Sequence, residues 1–298
     1  MKMAAQVKSY VDNLIDISKK IGLCPEFVQG GGGNTSVKIN DNLMAIKASG
    51  YLLKDMSEND GFSFVNYLDI KNHIKSNKIS GDTEDDFSAF IKEKTSKIEG
   101  YPNLKPSIET GFHALLPQKY IIHTHSVYAN IICCSKDGED TAQKLFPSSI
   151  WVKYANPGKD ITIAIANVTK DKPSNIIFMQ NHGIIICAKS SGEAYNLHKS
   201  VNNKIINHFN IGIDFELEKI DLDIEEVKEK VIFPDQVVYL LSENLRNSAS
   251  GLETLYAYNY IIKKIKNLGL TPNFISKKDI NYIENMESEK YRTSLIRK

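Results

Sequence analysis

Two histidines one residue apart, His123 and His125, stand in the run Tyr-Ile-Ile-His-Thr-His-Ser over residues 120–126. That pattern predicts a buried strand leading into a turn. Strand side chains alternate faces, so the two imidazoles point one way and Thr124 the other. Their Cα atoms would lie about 6–7 Å apart, close enough to share one cation. Upstream, Pro106-Ser107 reads as a helix start, which puts Glu109 in the first turn of a helix running to about Leu116. Only Pro117, Gln118 and Lys119 separate that helix from the strand, so Glu109 can lie near the pair. A third imidazole, His182, sits in Asn181-His182-Gly183 between two apolar runs, the chemistry of a hairpin corner. Catalytic metal sites commonly take three protein ligands and leave one position open. The arrangement therefore predicts a His123/His125/His182 centre with Glu109 beside the open position. The H-x-H pair alone is more often structural on an apolar strand; the third histidine and the carboxylate turn the reading towards a metal. His113 shares a helix face with Glu109 at i, i+4. With three imidazoles already assigned, it is expected to support the site from behind.

A second kind of chemistry is suggested by Gly30-Gly31-Gly32-Gly33-Asn34-Thr35-Ser36. Four consecutive glycines cost backbone entropy on ordering. One use for such freedom is close approach of amides to an anion such as phosphate, with Asn34 and Ser36 as side-chain donors. A flexible connector is the other reading of the loop. It is neither a G-x-G-x-x-G unit nor a P-loop, because no strand-loop-helix context or G-K-[ST] follows. Ser49 and Gly50 form a second small polar turn, and Ser107 stands two residues before Glu109. Three such turns around one carboxylate suggest a pocket that grips a phosphate next to the metal.

The elements that must hold these residues are legible in outline. Val7, Tyr10, Val11, Leu14, Ile15 and Ile17 repeat at helical spacing over residues 4–20, and Gly22 is a natural stop. Residues 37–39 and 43–49 flank Asn40-Asp41-Asn42 as a β-hairpin fed by the glycine loop. The polar stretch 68–104 predicts an exposed helix, a loop and a second helix near 87–97. Its acidic cluster 82–86 is expected at a helix N-terminus, not around a metal. A buried helix is predicted over 127–135, a strand over 150–154, helix or strand over 161–167, and a helix over 192–207 that carries His198 and His208 as packing or surface residues. Beyond about residue 215 the character changes. A charged run over 221–230, a boundary at Pro234 and amphipathic helices over 253–268 and 277–297 follow, with Ser276 and Asp279 opening the last as a capping box. This tail has no histidine or cysteine, so it is not expected to ligate the metal. Domain organisation is read as 1–215, carrying the site, and 216–298, a helical C-terminal extension.

Composition narrows the function classes. The chain has 298 residues, 42% hydrophobic and 24% charged, with a formal charge of +1. Those values suit a globular protein and give no reason to expect nucleic acid as the main partner. No run approaches the ~18–20 apolar residues needed to span a bilayer, and the N-terminus lacks a signal-peptide core. Cys24, Cys133, Cys134 and Cys187 show no C-x-x-C spacing and are expected as free thiols in a reducing cytoplasm. The expected location is cytoplasmic, with no membrane partner.

The strings GGGGNTSVK, IKASG, PSIE, HTH and NHG occur here in the order seen in the class II, zinc-dependent aldolase/adducin family, and residues 5–215 resemble it. The likeness is greatest to the aldolase half of bifunctional rhamnulose-phosphate aldolase/lactaldehyde dehydrogenases. The resemblance implies a three-layer α/β/α sandwich around a mainly antiparallel sheet, often assembled as a tetramer, so a homo-oligomer is expected. It implies His123, His125 and His182 as ligands of Zn2+ (or another divalent transition metal), Glu109 as catalytic acid/base, and Gly33, Asn34, Ser36, Ser49, Gly50 and Ser107 around a substrate phosphate. Two departures stand out. The serine pair before the glutamate is Ser107-Ile108, which removes one phosphate donor. After residue 215 no glycine fingerprint follows, so the relatives' dehydrogenase step is not expected of this chain alone. The family's catalytic tyrosine has no assignable counterpart; Tyr154 and the tail tyrosines are candidates.

The implied reaction is retro-aldol cleavage of a phosphorylated sugar, a ketose 1-phosphate, to dihydroxyacetone phosphate and an aldehyde. The metal would stabilise an enediolate that Glu109 protonates. The same metal and carboxylate serve sugar-phosphate epimerases and dehydratases, which form the alternative. A non-catalytic adducin-like scaffold would be expected to lack the ligands. A zinc hydrolase would be expected to carry H-E-x-x-H on a helix.

Overall fold

The computed structural model describes residues 2–212, 215 and 224–296. Among these, seven strands form one sheet: β1 Asn34–Lys38, β2 Leu43–Lys47, β3 Phe62–Asn66, β4 Tyr120–Thr124, β5 Ile150–Val152, β6 Ile176–Met179 and β7 Gly183–Ala188. Their order is β3-β2-β1-β4-β7-β6-β5. Neighbours are antiparallel except for the parallel β5–β6 edge pair. The hydrophobic runs that read as buried strands make the centre: β4 and β7 are buried at every position.

Both faces of the sheet are covered by helices. In chain order these are α1 Lys2–Gly22, α2 Tyr67–Lys75, α3 Glu84–Glu93, α4 Thr110–Leu115, α5 Val127–Cys133, α6 Gly138–Leu145, α7 Lys159–Thr169 and α8 Ser191–Phe209. On one face Ile122, Ile184 and Ile186 pack with Val11 and Leu14 of α1, Ile131 of α5 and Val201 of α8. On the other, Ile121, Ile185 and Cys187 meet Phe112 of α4 and Ile161 and Ile165 of α7. Alternate residues of one strand thus feed opposite cores, which is the period-2 consequence of the pleat. The segment that left helix and strand open is helix α7, since Ile161 and Ile165 share a face at i, i+4. The fold is an α/β sandwich with a mostly antiparallel sheet.

The remaining helices lie C-terminal: α9 Ile224–Glu229, α10 Pro234–Leu240, α11 Ala249–Asn267, α12 Lys277–Asn285 and α13 Glu287–Ile296. The expected single terminal helix is two, because Met286 takes an extended conformation between α12 and α13. The expected division at 215/216 adjoins residues 216–223, which lie outside the described residues, as does part of the charged run. Leu255, Ala257 and Ile261 of α11 join the same core as α1, α5 and α8. The acidic cluster is indeed a helix N-terminus: Thr83 and Asp86 form a reciprocal capping box on α3, satisfying amides that the first turn leaves unpaired.

Candidate metal centre

His123 lies near the end of β4, in register with Asn34 on β1 and Ile185 on β7. Its partner His125 follows one residue past the strand, and Thr124 between them turns away to bond His198 on the opposite face, at 2.9 Å. Alternation therefore delivers both imidazoles to the α4 side. His182 arrives from the β6–β7 corner, where Asn181 adopts a left-handed φ of 53°. The Asn130 side-chain amide ties the two loops by donating to the His125 and His182 carbonyls, at 3.4 and 3.3 Å.

One ligand atom from each of these three buried histidines lies within 4.8 Å of the others. The hydrogen bonds at the far side of two rings fix which nitrogen is free. His123 donates from Nδ1 to the Ile184 carbonyl, 3.0 Å. His125 donates from Nδ1 to Asp235 Oδ2, 2.7 Å. Their Nε2 atoms, left with lone pairs, face each other at 3.0 Å, a spacing at which both can serve one cation. Burial pushes the His123 imidazole down to about 3, against the opposing pull of Glu109, so the ring is neutral and able to ligate. The donor set fits a divalent transition metal: three buried imidazoles, two of them with an orienting partner behind the ring.

Glu109 faces this cluster. Its Oε1 lies 3.1 Å from His182 Nε2, and its Oε2 lies 3.5 Å from His123 Nε2. The helix begins later than the expected start at Pro106-Ser107: its first residue is Thr110, which puts Glu109 at the capping position and not in the first turn. The cause is a pairing with a distant segment: Pro106 bridges Ala48, and Ser107 donates its amide to the Lys47 carbonyl, so the chain is held extended until Ser107. Asn34 donates from Nδ2 to Glu109 Oε2 at 2.7 Å and to Ser107 Oγ at 3.3 Å. Behind Asn34, its Oδ1 takes a hydrogen bond from His113 Nε2. The His113 Nδ1 in turn accepts from Ser36 Oγ, 2.7 Å. Burial drives His113 well below its usual range, with the charge of His123 acting the same way. A neutral His113 donating from Nε2 fixes the Asn34 amide so that its NH2 points at the carboxylate.

A cavity opens in front of the cluster, lined by Gly33, Asn34, Ser49, Gly50, Ser107, Glu109, His125 and His182, together with Gly31, Lys47, Ile108, Pro157, Pro234, Asp235 and Glu289. Of the residues expected around a phosphate, Ser36 is the exception. Its hydroxyl is fully buried and engaged by His113, inward of the cavity. The glycine loop also differs from an anion cradle. Gly30 N–H donates to Glu253 at 2.7 Å, Gly31 N–H to the Tyr239 hydroxyl at 3.0 Å, and Gly32 N–H to its own loop at Gln29. A Cβ at Gly32 would press into Asp235 Oδ2 and come within 2.8 Å of His125 Nδ1. The glycines are needed because the C-terminal helices pack directly on this loop.

Sequence reasoning missed Asp235, Tyr239, Glu253, Lys47 and Glu289, since nothing in their spacing ties them to the histidines. The free-thiol reading of the cysteines agrees with the structure. Of the candidate tyrosines, Tyr154 donates its hydroxyl to Asn156 at 3.1 Å and does not line the cavity. Among the described residues, no helix is long and apolar enough to cross a membrane.

Comparison with known proteins agrees with this geometry. The model of the Class II Aldolase and Adducin N-terminal domain matches residues 12–204. An uncharacterized oxidoreductase of Bacillus subtilis is 30% identical over 202 residues, covering 64% of this chain, which spans only 28% of that protein. The L-fuculose phosphate aldolase of Methanocaldococcus jannaschii is 25% identical over 179 residues, covering 57% of this chain and 80% of the relative. Among solved structures, the N-terminal class II aldolase domain of a conserved Thermoplasma acidophilum protein superposes with a TM-score of 0.59 at 25% identity, over 66% of this chain and 92% of that one.

Proposed function

Since the chain belongs to the class II aldolase/adducin family, we propose that it is a metal-dependent aldolase. It cleaves a ketose 1-phosphate of the rhamnulose or fuculose type to dihydroxyacetone phosphate and an aldehyde. The observation that carries this reading is the convergence of three buried imidazoles and one carboxylate at the mouth of a polar cavity. A scaffold that had lost catalysis would have no reason to keep four such groups desolvated against one another.

In this proposal His123, His125 and His182 hold Zn2+ or a similar divalent ion. When bound, that ion supplies the positive charge that polarises the substrate carbonyl and offsets the charge of an enediolate. Glu109 is the acid/base. It lies on the cavity wall, fixed by the Asn34 amide. As the C3–C4 bond breaks, the C4 hydroxyl gives up its proton to this carboxylate and leaves as the aldehyde, and Glu109 returns the proton to the enediolate carbon. Asn34, Ser49, Gly50 and Ser107, with Gly33 between them, are assigned to the phosphate. Lys47 adds positive charge on the same wall, its ammonium held 2.9 Å from the Gly31 carbonyl. Ser36 contributes by fixing His113. Holding the remote phosphate supplies binding energy that positions the scissile bond. A homo-oligomer, with a tetramer expected, belongs to the same proposal, as does a cytoplasmic location.

The test is metal content measured together with retro-aldol activity on rhamnulose 1-phosphate, fuculose 1-phosphate and related ketose phosphates. About one divalent ion per chain is expected, absent in His123→Ala, with triose phosphate released by the parent protein. Bound metal without cleavage of any ketose phosphate would move the reading to an epimerase or dehydratase. A protein that takes up no divalent ion would overturn it.

A further inference from the structure

The C-terminal region does more than cover the domain. We infer that Asp235, at the start of α10, is a positioning residue that sets the affinity of the metal centre by orienting His125. This rests on the metal-binding reading given above.

Asp235 and His125 are both almost fully buried, and the carboxylate Oδ2 lies 2.7 Å from Nδ1. A carboxylate in that place accepts the Nδ1 proton, leaves the Nε2 lone pair towards the cluster and makes the imidazole a stronger donor. Neutral imidazole can ligate through either nitrogen, so without this bond the other tautomer would present an N–H to the ion. His123 is fixed by a backbone carbonyl of its own sheet. His125, one residue beyond the strand, has no such neighbour and takes its partner from a segment 110 residues away.

Independent geometry shows the contact to be built in. Gly32 has no side chain where a Cβ would press into Asp235 Oδ2 and crowd His125 Nδ1. The segment before α10 is pinned at the third ligand too. Asn181 donates from its side chain to the Ile232 and Asn273 carbonyls, both at 2.8 Å, next to His182. On either side of Asp235 the same region is therefore locked to the glycine loop and to the His182 corner. Of these contacts, the Asp235 carboxylate is the one that bonds a ligand imidazole directly.

The experiment is competition between a chelator and the full-length protein for Zn2+, with Co2+ absorption as a spectroscopic readout. Asp235→Asn keeps the side-chain shape and an acceptor oxygen but removes the charge. Asp235→Ala removes the partner. Affinity is expected to fall about tenfold in the first and up to about a hundredfold in the second, with the Co2+ ligand-field bands shifted. Glu253→Ala loosens the same interface at Gly30 without touching an imidazole, and is expected to leave affinity within about twofold. Asp235 variants with parental affinity and spectrum would overturn the inference while leaving the metal site standing. Equal losses in Glu253→Ala would also overturn it, by showing that seating of the interface acts without Asp235 in particular. Absence of metal binding in the parent protein would overturn both readings together.

Discussion

Glu109 is fixed by the Asn34 amide at 2.7 Å and stands 3.1 Å from His182 Nε2 and 3.5 Å from His123 Nε2. It is 6% exposed, so its surroundings, and not bulk water, set when it can give or take a proton. Three imidazoles converge without it, and the ion should therefore survive its replacement. Glu109→Gln is expected to keep stoichiometric metal while turnover falls by about 10²–10⁴-fold, the usual worth of a general acid/base. Metal analysis beside steady-state kinetics checks this; parallel loss of metal and activity would make Glu109 a ligand first. The residues of this centre differ in how readable they are. His123, His125, His182 and Glu109 can be picked out because each sits in a short string whose spacing has a geometric meaning. Asp235 cannot. An aspartate after a proline reads as a helix start, which it also is, and its meeting with His125 depends on the path of more than a hundred intervening residues.

At the level of elements, the position of α7 behind the site depends on a half-buried acid. Glu84, the first residue of α3, accepts the backbone amide of Lys159 at 2.7 Å. It thereby caps the start of α7, whose Ile161 and Ile165 pack under β4 and β7. Desolvation raises the Glu84 carboxyl to about 8, despite that bond. An acid whose folded pKa lies above its unfolded value binds more protons in the native state between about pH 4.5 and 8. Stability contributed by the protonated form is therefore present at the acid end and lost as pH rises through 8. Comparing the parent protein with Glu84→Gln by urea unfolding isolates the effect. The difference should move in the variant's favour as pH rises, with a slope of at most about 1.4 kcal/mol per pH unit. A flat difference would mean that the carboxyl ionises normally. The elements themselves were largely foreseeable: the hairpin, the two-histidine strand, the His182 corner and the flanking helices follow from period and turn chemistry. The late start of α4 was not, because it depends on a bridge between Ala48 and Pro106, a pairing of distant segments that local propensity does not contain.

Across the whole molecule, α11 shares one core with the sheet, while α10 and α12 also pack a smaller cluster of their own. Leu255, Ala257 and Ile261 of α11 belong to the cluster that contains α1, α5 and the buried face of β4 and β7, and the single tryptophan, Trp151 on β5, lies in that cluster as well. Composition suggested a change of character near residue 215, and a change in surface polarity is compatible with a continuous interior. A separately folding extension would bury its own apolar face and leave Trp151 blind to it. A shared core makes the two regions unfold together, because neither can expose its face to water without losing about 25 cal/mol per Å2 of apolar contact. Ile261→Ala removes a fully buried side chain and is expected to cost about 2–5 kcal/mol. That loss should be visible in the Trp151 fluorescence transition, on the far side of the molecule's chain order. Calorimetry of the parent protein should show a single endotherm, shifted to lower temperature as one peak in the variant. Two endotherms, with Trp151 reporting only the one that Ile261→Ala leaves in place, would establish residues 224–296 as a unit that folds by itself.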